Sequence, residues 1–420
     1  MNIDLLATTS TNERWLILAN LIREIGMQAT YYMGIFGYAA FGFGGNPHII
    51  AAVMLVFNIS HMIGSVAAGI VIDRIGPRRT VLVSSLLVIA TCLVFFVVDS
   101  HLPTFLLLTA VFGVVTTVLN MAYLSFAPYL ERTKMGLRRV NSFLTVGTFI
   151  AAVIGPALGA VVIGSFSVYS VFILMAIATA IGTGITLVVR EIYQPISTDN
   201  TTEKTSPLRE ALEGWRIIKQ SRTLRFYLIA AIAMVFGFGA FDALEPLYFK
   251  EVLAVELSTM GWIQAIGGIG LIAGVIALAL VSADKVNARL LAVLVPLCGI
   301  GTVIYVGTHN LLWVVVGQLM LGAAFGVFDP LLRTLVQADS PLEVAGRVLG
   351  TINMIIVGLL LVPLLVAPSL SNLIGVQPVL VSAGALTLAL GILLYPAGKK
   401  LDAKVAESRS NMKVDIFADE

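Results

Sequence analysis

Twelve apolar runs, each close to the ~20 residues a helix needs to cross the hydrocarbon core of a bilayer, dominate this chain of 420 residues. They fall near residues 15–41, 48–72, 79–99, 103–130, 141–164, 168–190, 224–249, 258–282, 288–307, 311–337, 346–372 and 376–397. Charged residues make up 12% of the chain, against roughly 25% in soluble domains. Strand-period alternation is absent, which excludes a β-barrel. The first run has no A-x-A-like cleavage site and reads as a span, not a cleaved signal. The expected fold is therefore an all-α integral membrane protein of twelve transmembrane helices.

Lysine and arginine placement sets the orientation. With the N-terminus inside, all of the 26 basic residues except Arg23, Lys250 and Arg333 lie in cytoplasmic segments. This places both termini in the cytoplasm.

The longest interruption, "QPISTDNTTEKTSP", has the composition of a flexible linker. It runs into "LREALEGWRIIKQ", where Leu208, Leu212, Trp215 and Ile218 form a stripe at helical spacing opposite Arg209, Arg216 and Lys219. Such a helix is expected to lie on the inner leaflet. The organisation is then a six-helix half (1–190), a linker with an interfacial helix (191–223), a second six-helix half (224–398) and a mobile polar tail (399–420). The halves echo each other. A shift of 211 carries Asp73-Arg74 onto Asp284-Lys285, Arg78 onto Arg289 and Gly76 onto Asn287, another residue that tolerates positive φ. A shift of 209 carries Gly113 onto Gly322 and Asn120 onto Asp329. Duplicated six-helix units point to a transporter with its site near mid-membrane.

The stretch "GIVIDRIGPRRT" carries a resemblance. Gly69, Asp73, Arg74, Gly76, Arg78 and Arg79 stand as in the loop signature of the major facilitator superfamily, with Pro77 the only departure. In "AAVIGPALGA", Gly155, Pro156 and Gly159 resemble the superfamily's exporter-associated motif, with Ala151 and Ala160 replacing its outer glycines. The stretches "FDPLLRTLVQADSPLEVAGRVLG" and "EPLYFKEVLAVELSTMGWI" are similar to the branch of macrolide and siderophore exporters. No basic residue precedes Gly113 in "LLLTAVFGVV", so coupling through an arginine there is not implied. The resemblance implies that the signature loop is a conformational latch. Asp73 would meet the helix start near Gly346 to Val348, Arg74 or Arg78 would reach Glu131, and Asp284 would mark the second copy. It also implies that the first helix lines the cavity.

Away from the ends of the runs stand six carboxylate or guanidinium groups, together with His61. An ionisable group at mid-bilayer costs about 2.5–3.5 kcal/mol on insertion scales and faces the bundle interior. Asp242 and Glu245 stand three apart on one helix face, next to Pro246, and suit proton binding; a solvated outer vestibule is the alternative. Asp329 and Arg333, four apart, suit an ion pair within the helix that offsets their burial, with a substrate contact left open. Arg23 and Glu24 point about 100° apart and are not expected to neutralise each other. One of them should face the cavity, or Glu24 should pair with another helix. His61 is either a proton switch or a packing residue. Asn120 is either helix-to-helix glue or part of a polar cavity wall. Tyr32 and neighbouring aromatics suit a large lipophilic ligand or ordinary packing.

No phosphate-loop motif, metal-ligand spacing or nucleophile–base pair emerges, so neither cofactor, metal nor enzymatic activity is expected. Cys92 and Cys298 are isolated, and no basic aromatic patch suggests nucleic acid. The expectation is a monomeric secondary transporter of the inner (plasma) membrane. It would export an amphiphilic organic compound such as a drug against protons, with the lipid bilayer as its surroundings. A proton symporter importing a small metabolite and a non-transporting receptor or scaffold are the alternatives.

Overall fold

The computed structural model describes residues 10–97, 101–131, 133–189, 207–282, 285–341 and 344–418. Its elements are helices, as the apolar runs require: in a bilayer each backbone N–H and C=O must be satisfied within its own segment. The chain divides into two units, Met1–Thr201 with Phe249–Gly268, and Thr202–Tyr248 with Ile269–Glu420.

The first unit contains α1 (Thr11–Ala29), α2 (Pro47–Ile75), α3 (Pro77–Val97), α4 (Leu102–Leu124), α5 (Lys134–Ser165) and α6 (Ser170–Val188). α1 packs on α5 and α6, α2 on α4, and α3 on α4 and α6. The Ser10 side chain caps α1 by accepting from the Glu13 N–H, while the Glu13 carboxylate accepts from the Ser10 N–H. Beyond Ala29 the helix widens into a π-helical stretch, Thr30–Gly37, before a last turn at Tyr38–Phe41. Such widenings are rare and gather at functional sites.

The second unit begins with the linker helix α7 (Pro207–Gln220). It continues with α8 (Arg222–Val235), α9 (Phe238–Leu247), α11 (Ala288–Val306), α12 (Leu311–Ala338), α13 (Ala345–Ile374) and α14 (Val376–Ala418). The intervening helix α10 (Leu257–Leu280) has its first part in the first unit. α9 packs on α13, and α11 packs on α12 and α14. These pairings reproduce those of α1 with α5, and of α3 with α4 and α6, as a duplicated architecture demands.

Among the described residues, eleven helices are long and apolar enough to cross a membrane. The first run is helical from Thr11 to Phe41 but falls outside that set, because Asn20, Arg23, Glu24 and Gln28 replace apolar side chains. The segment from 399, expected to be a mobile tail, instead continues α14 to Ala418; its Ala, Lys and Glu content favours helix. α7 departs from the expected stripe. Ile218 and Gly214 are buried, and a Cβ on Gly214 would meet the Arg347 carbonyl of α13 at 2.8 Å. Leu212 and Trp215 are exposed. The contact with α13 selects a different face from the one hydrophobicity alone picks out.

Candidate functional site

In the first unit, α1 and α4 bring a charged cluster together within the protein. The side chain of Arg23, 1% exposed, directs Nη2 to three oxygens: Asn20 Oδ1 at 3.0 Å, Asn120 Oδ1 at 2.8 Å and Glu24 Oε1 at 3.0 Å. Its guanidinium carbon also lies 5.3 Å from the centre of the Tyr123 ring. Glu24 is 7% exposed. The expectation that Arg23 and Glu24 would not neutralise each other is overturned. Their Cβ vectors diverge, but both side chains are long enough to fold back and meet. Asn20 and Tyr123 were not singled out by sequence reasoning. Each stands three residues from a cluster member on the same helix face, Asn20 from Arg23 and Tyr123 from Asn120, and that spacing is the signal that could have found them.

The α5 motif supports this helix. A Cβ on Gly155 would lie 2.5 Å from Gln28 Cβ and 2.9 Å from the Ile25 carbonyl, and one on Gly159 would lie 2.8 Å from Met33 Cγ. α1 and the π-helical stretch therefore rest directly on the α5 backbone. On another face, a Cβ on Gly261 of α10 would lie 2.9 Å from the Pro156 carbonyl. Tyr32, in the π-helical stretch, is half-buried and meets Tyr31 edge-on at 4.9 Å. His61 sits apart from the ion cluster's contacts. Its ring lies 4.4 Å from that of Phe57, and its Nε2 is buried with no hydrogen-bond partner among the described residues.

In the second unit, α9 buries Glu245, 8% exposed, one turn after the half-buried Asp242. The Tyr305 hydroxyl of α11 donates to Glu245 Oε1 at 2.6 Å. The Tyr305 ring stacks on Phe241, centroids 6.2 Å apart. Tyr305 gave no signal in the sequence, because it lies 60 positions away in an otherwise apolar run. A second π-helical stretch, Tyr248–Val252, follows α9, so the first span of each half carries both acids and a π-helical stretch. Asp329 and Arg333 form the expected pair, Nε to Oδ2 at 2.9 Å. Both side chains are 58% exposed, however, so no burial is offset by it.

The loop signature has a clear backbone rationale at one position. Gly76 ends α2 with φ 78° and ψ 161°, a region only glycine enters without strain. Its expected counterpart Asn287 has φ −151° instead and caps α11, its Oδ1 accepting from the Leu290 N–H. Gly69 faces open space; Asp73, Arg74 and Arg79 are exposed. Arg78 donates to the Leu187 carbonyl at 2.9 Å, near the end of α6 where a cation complements the helix dipole. Neither Arg74 nor Arg78 forms an ion pair with Glu131, whose Oε2 lies 3.8 Å from Arg139. Arg139 also holds both oxygens of the buried Glu13 at 3.0 Å. That cross-link comes from residues read only as topological or not at all. Asp284 lies outside the described residues.

Two pseudo-equivalent helical units, each with an acid buried in its first span, define a polytopic membrane protein of the duplicated-bundle class. Residues 17–362 match the model of the Major Facilitator Superfamily, and the chain belongs to that superfamily of membrane transporters. It is 22% identical over 390 residues to the uncharacterized MFS-type transporter YfiS of Bacillus subtilis (strain 168), covering 90% of each chain. It is 25% identical over 307 residues to the multidrug resistance protein MdtG of Escherichia coli O9:H4 (strain HS), covering 70% of this chain and 71% of that one. Among solved structures, a variant of the nucleoside transporter NupG superposes with a TM-score of 0.68 at 13% identity, covering 91% of this chain and 99% of its own. A POT family transporter in complex with a thioalcohol-conjugated peptide gives 0.73 at 11% identity, covering 92% and 96%. At such identity these two structures speak to fold alone.

Proposed function

We propose that this transporter exports an amphiphilic organic compound across the inner (plasma) membrane in exchange for protons, working as a monomer with both termini in the cytoplasm. The observation that carries the reading is the buried Arg23–Glu24 pair inside a span. Two ionised groups taken out of water are costly to hold and are outperformed in stability by apolar packing. Their presence is best accounted for by work done on them. Protonation of Glu24 would leave the Arg23 charge on Asn20, Asn120 and the Tyr123 ring alone, and so alter how the cluster receives a polar substrate. Glu245 with Tyr305, and Asp242 one turn away, provide the corresponding acids of the second half. Export as the direction is supported by the close packing of Gly155 and Gly159 on α1, by the motif's resemblance to exporters and by the similarity to MdtG. Asp73 is assigned to the alternating-access equilibrium, not to substrate.

Everted membrane vesicles carrying the protein, energised by an imposed proton gradient and offered a fluorescent amphiphilic dye, test the reading. Gradient-dependent dye accumulation that is lost in Glu24→Gln and in Asp242→Asn/Glu245→Gln is expected. Unchanged accumulation in both variants would sink the proton role. Gradient-driven uptake of a small metabolite by intact cells would favour a proton symporter instead.

A further inference from the structure

α8 and α14 enclose a groove that neither the ion clusters nor the loop signature uses. Ser221 caps α8, its Oγ accepting from the Leu224 N–H at 3.3 Å. The first turn then places Arg222 and Arg225 three residues apart on one exposed side. Lys400, on α14, completes the mouth of an open groove of about 640 Å³. The walls change character with depth into the span: Phe226 and Ile229 on α8 face Leu394 and Ala397 on α14. Nearby acids are already engaged. Asp402 accepts from the Ala288 and Arg289 N–H groups at 3.0 and 2.8 Å, and Asp339 accepts from the Tyr227 hydroxyl at 2.6 Å. The side chains of Arg222, Arg225 and Lys400 form no ion pair among the described residues.

Three uncompensated cations above an apolar cleft match one kind of occupant, an anionic head on hydrocarbon tails. A free anion would leave the walls bare, and a water-soluble segment would gain nothing from a cleft running into a membrane span. Basic pockets between transmembrane helices at the membrane surface are suited to anionic lipid heads. We propose that this groove holds an anionic glycerophospholipid of the surrounding bilayer. Its phosphate lies on Arg222, Arg225 and Lys400, and its acyl chains lie along Phe226, Ile229 and Leu394.

Native mass spectrometry of the delipidated full-length protein tests this, with phosphatidylglycerol, phosphatidylcholine and inorganic phosphate as separate probes. Retention of phosphatidylglycerol over phosphatidylcholine is expected, with inorganic phosphate failing to displace it. Arg222→Gln/Arg225→Gln/Lys400→Gln should weaken phosphatidylglycerol binding by roughly a hundredfold, from the attraction each basic residue adds near a membrane surface. Arg74→Gln/Arg79→Gln/Lys219→Gln, which removes equal charge elsewhere, should leave binding unchanged. Ile229→Trp, which fills the cleft from an exposed position and keeps every charge, should also weaken it and serves if the triple variant does not fold. Equal binding by wild type and the groove variants, equal loss in the control variant, or displacement by inorganic phosphate would each overturn the proposal.

Discussion

Arg23 Nη2 lies 3.0 Å from an oxygen of Glu24, the next residue in the chain, and 2.8 Å from Asn120 on another helix. The pair is thus neutralised locally and anchored across the α1–α4 interface at once. Removing one member leaves the other buried and charged, which costs about 3–5 kcal/mol. Arg23→Met is expected to lower the thermal unfolding midpoint in detergent markedly. Arg23→Met/Glu24→Gln should regain most of that stability without regaining transport. Recovery of transport by the double variant would show the pair to be structural only.

Glu245 and Tyr305 are expected to behave as one unit. Tyr305→Phe should reduce gradient-driven transport while leaving expression intact. Combining it with Glu245→Gln should add little further loss, a coupling on the order of 1–3 kcal/mol in a double-mutant cycle. Additive losses would separate the two residues functionally.

Gly155 meets α1 where no side chain fits, since a Cβ would sit 2.5 Å from Gln28 Cβ. Gly155→Ala should cost about 1–3 kcal/mol by overpacking, and Gly155→Leu should abolish stable folding, measured by unfolding in detergent. Gly164, where a Cβ would meet nothing within 4 Å, should accept alanine with no loss.

The loop signature yields two separable outcomes. Gly76→Ala forces a residue with a Cβ to φ 78°, a strain of about 1–3 kcal/mol, and should lower stability. Asp73→Asn, at an exposed position, should leave stability and equilibrium substrate binding nearly unchanged while slowing transport. A large loss of binding, followed by fluorescence titration, would assign Asp73 to the substrate site instead.

Much of the architecture is legible in the linear chain because a bilayer removes alternatives. Apolar runs of spanning length, interrupted by basic loops, can satisfy their backbones only as helices, and the offset between Asp73-Arg74 and Asp284-Lys285 already announces duplication. The same chemistry misled at the first span, which is helical yet too polar to count as an apolar crossing. Its polar residues are the ones that form the Arg23 cluster.

What the sequence determined by itself was the class of solvent, the helical elements, the repeat and which residue types are expensive to bury. Tertiary structure alone decided which of those residues meet. Helical spacing links residues three or four positions apart, so Asp329 and Arg333 could be paired from the chain. Side-chain reach and helix packing then decided that Arg23 folds back onto Glu24 and extends to Asn120, and that Arg78 turns to the Leu187 carbonyl. They also decided that Glu245 receives its hydrogen bond from Tyr305, 60 residues away. Periodicity along one helix holds no information about which face of another helix lies against it.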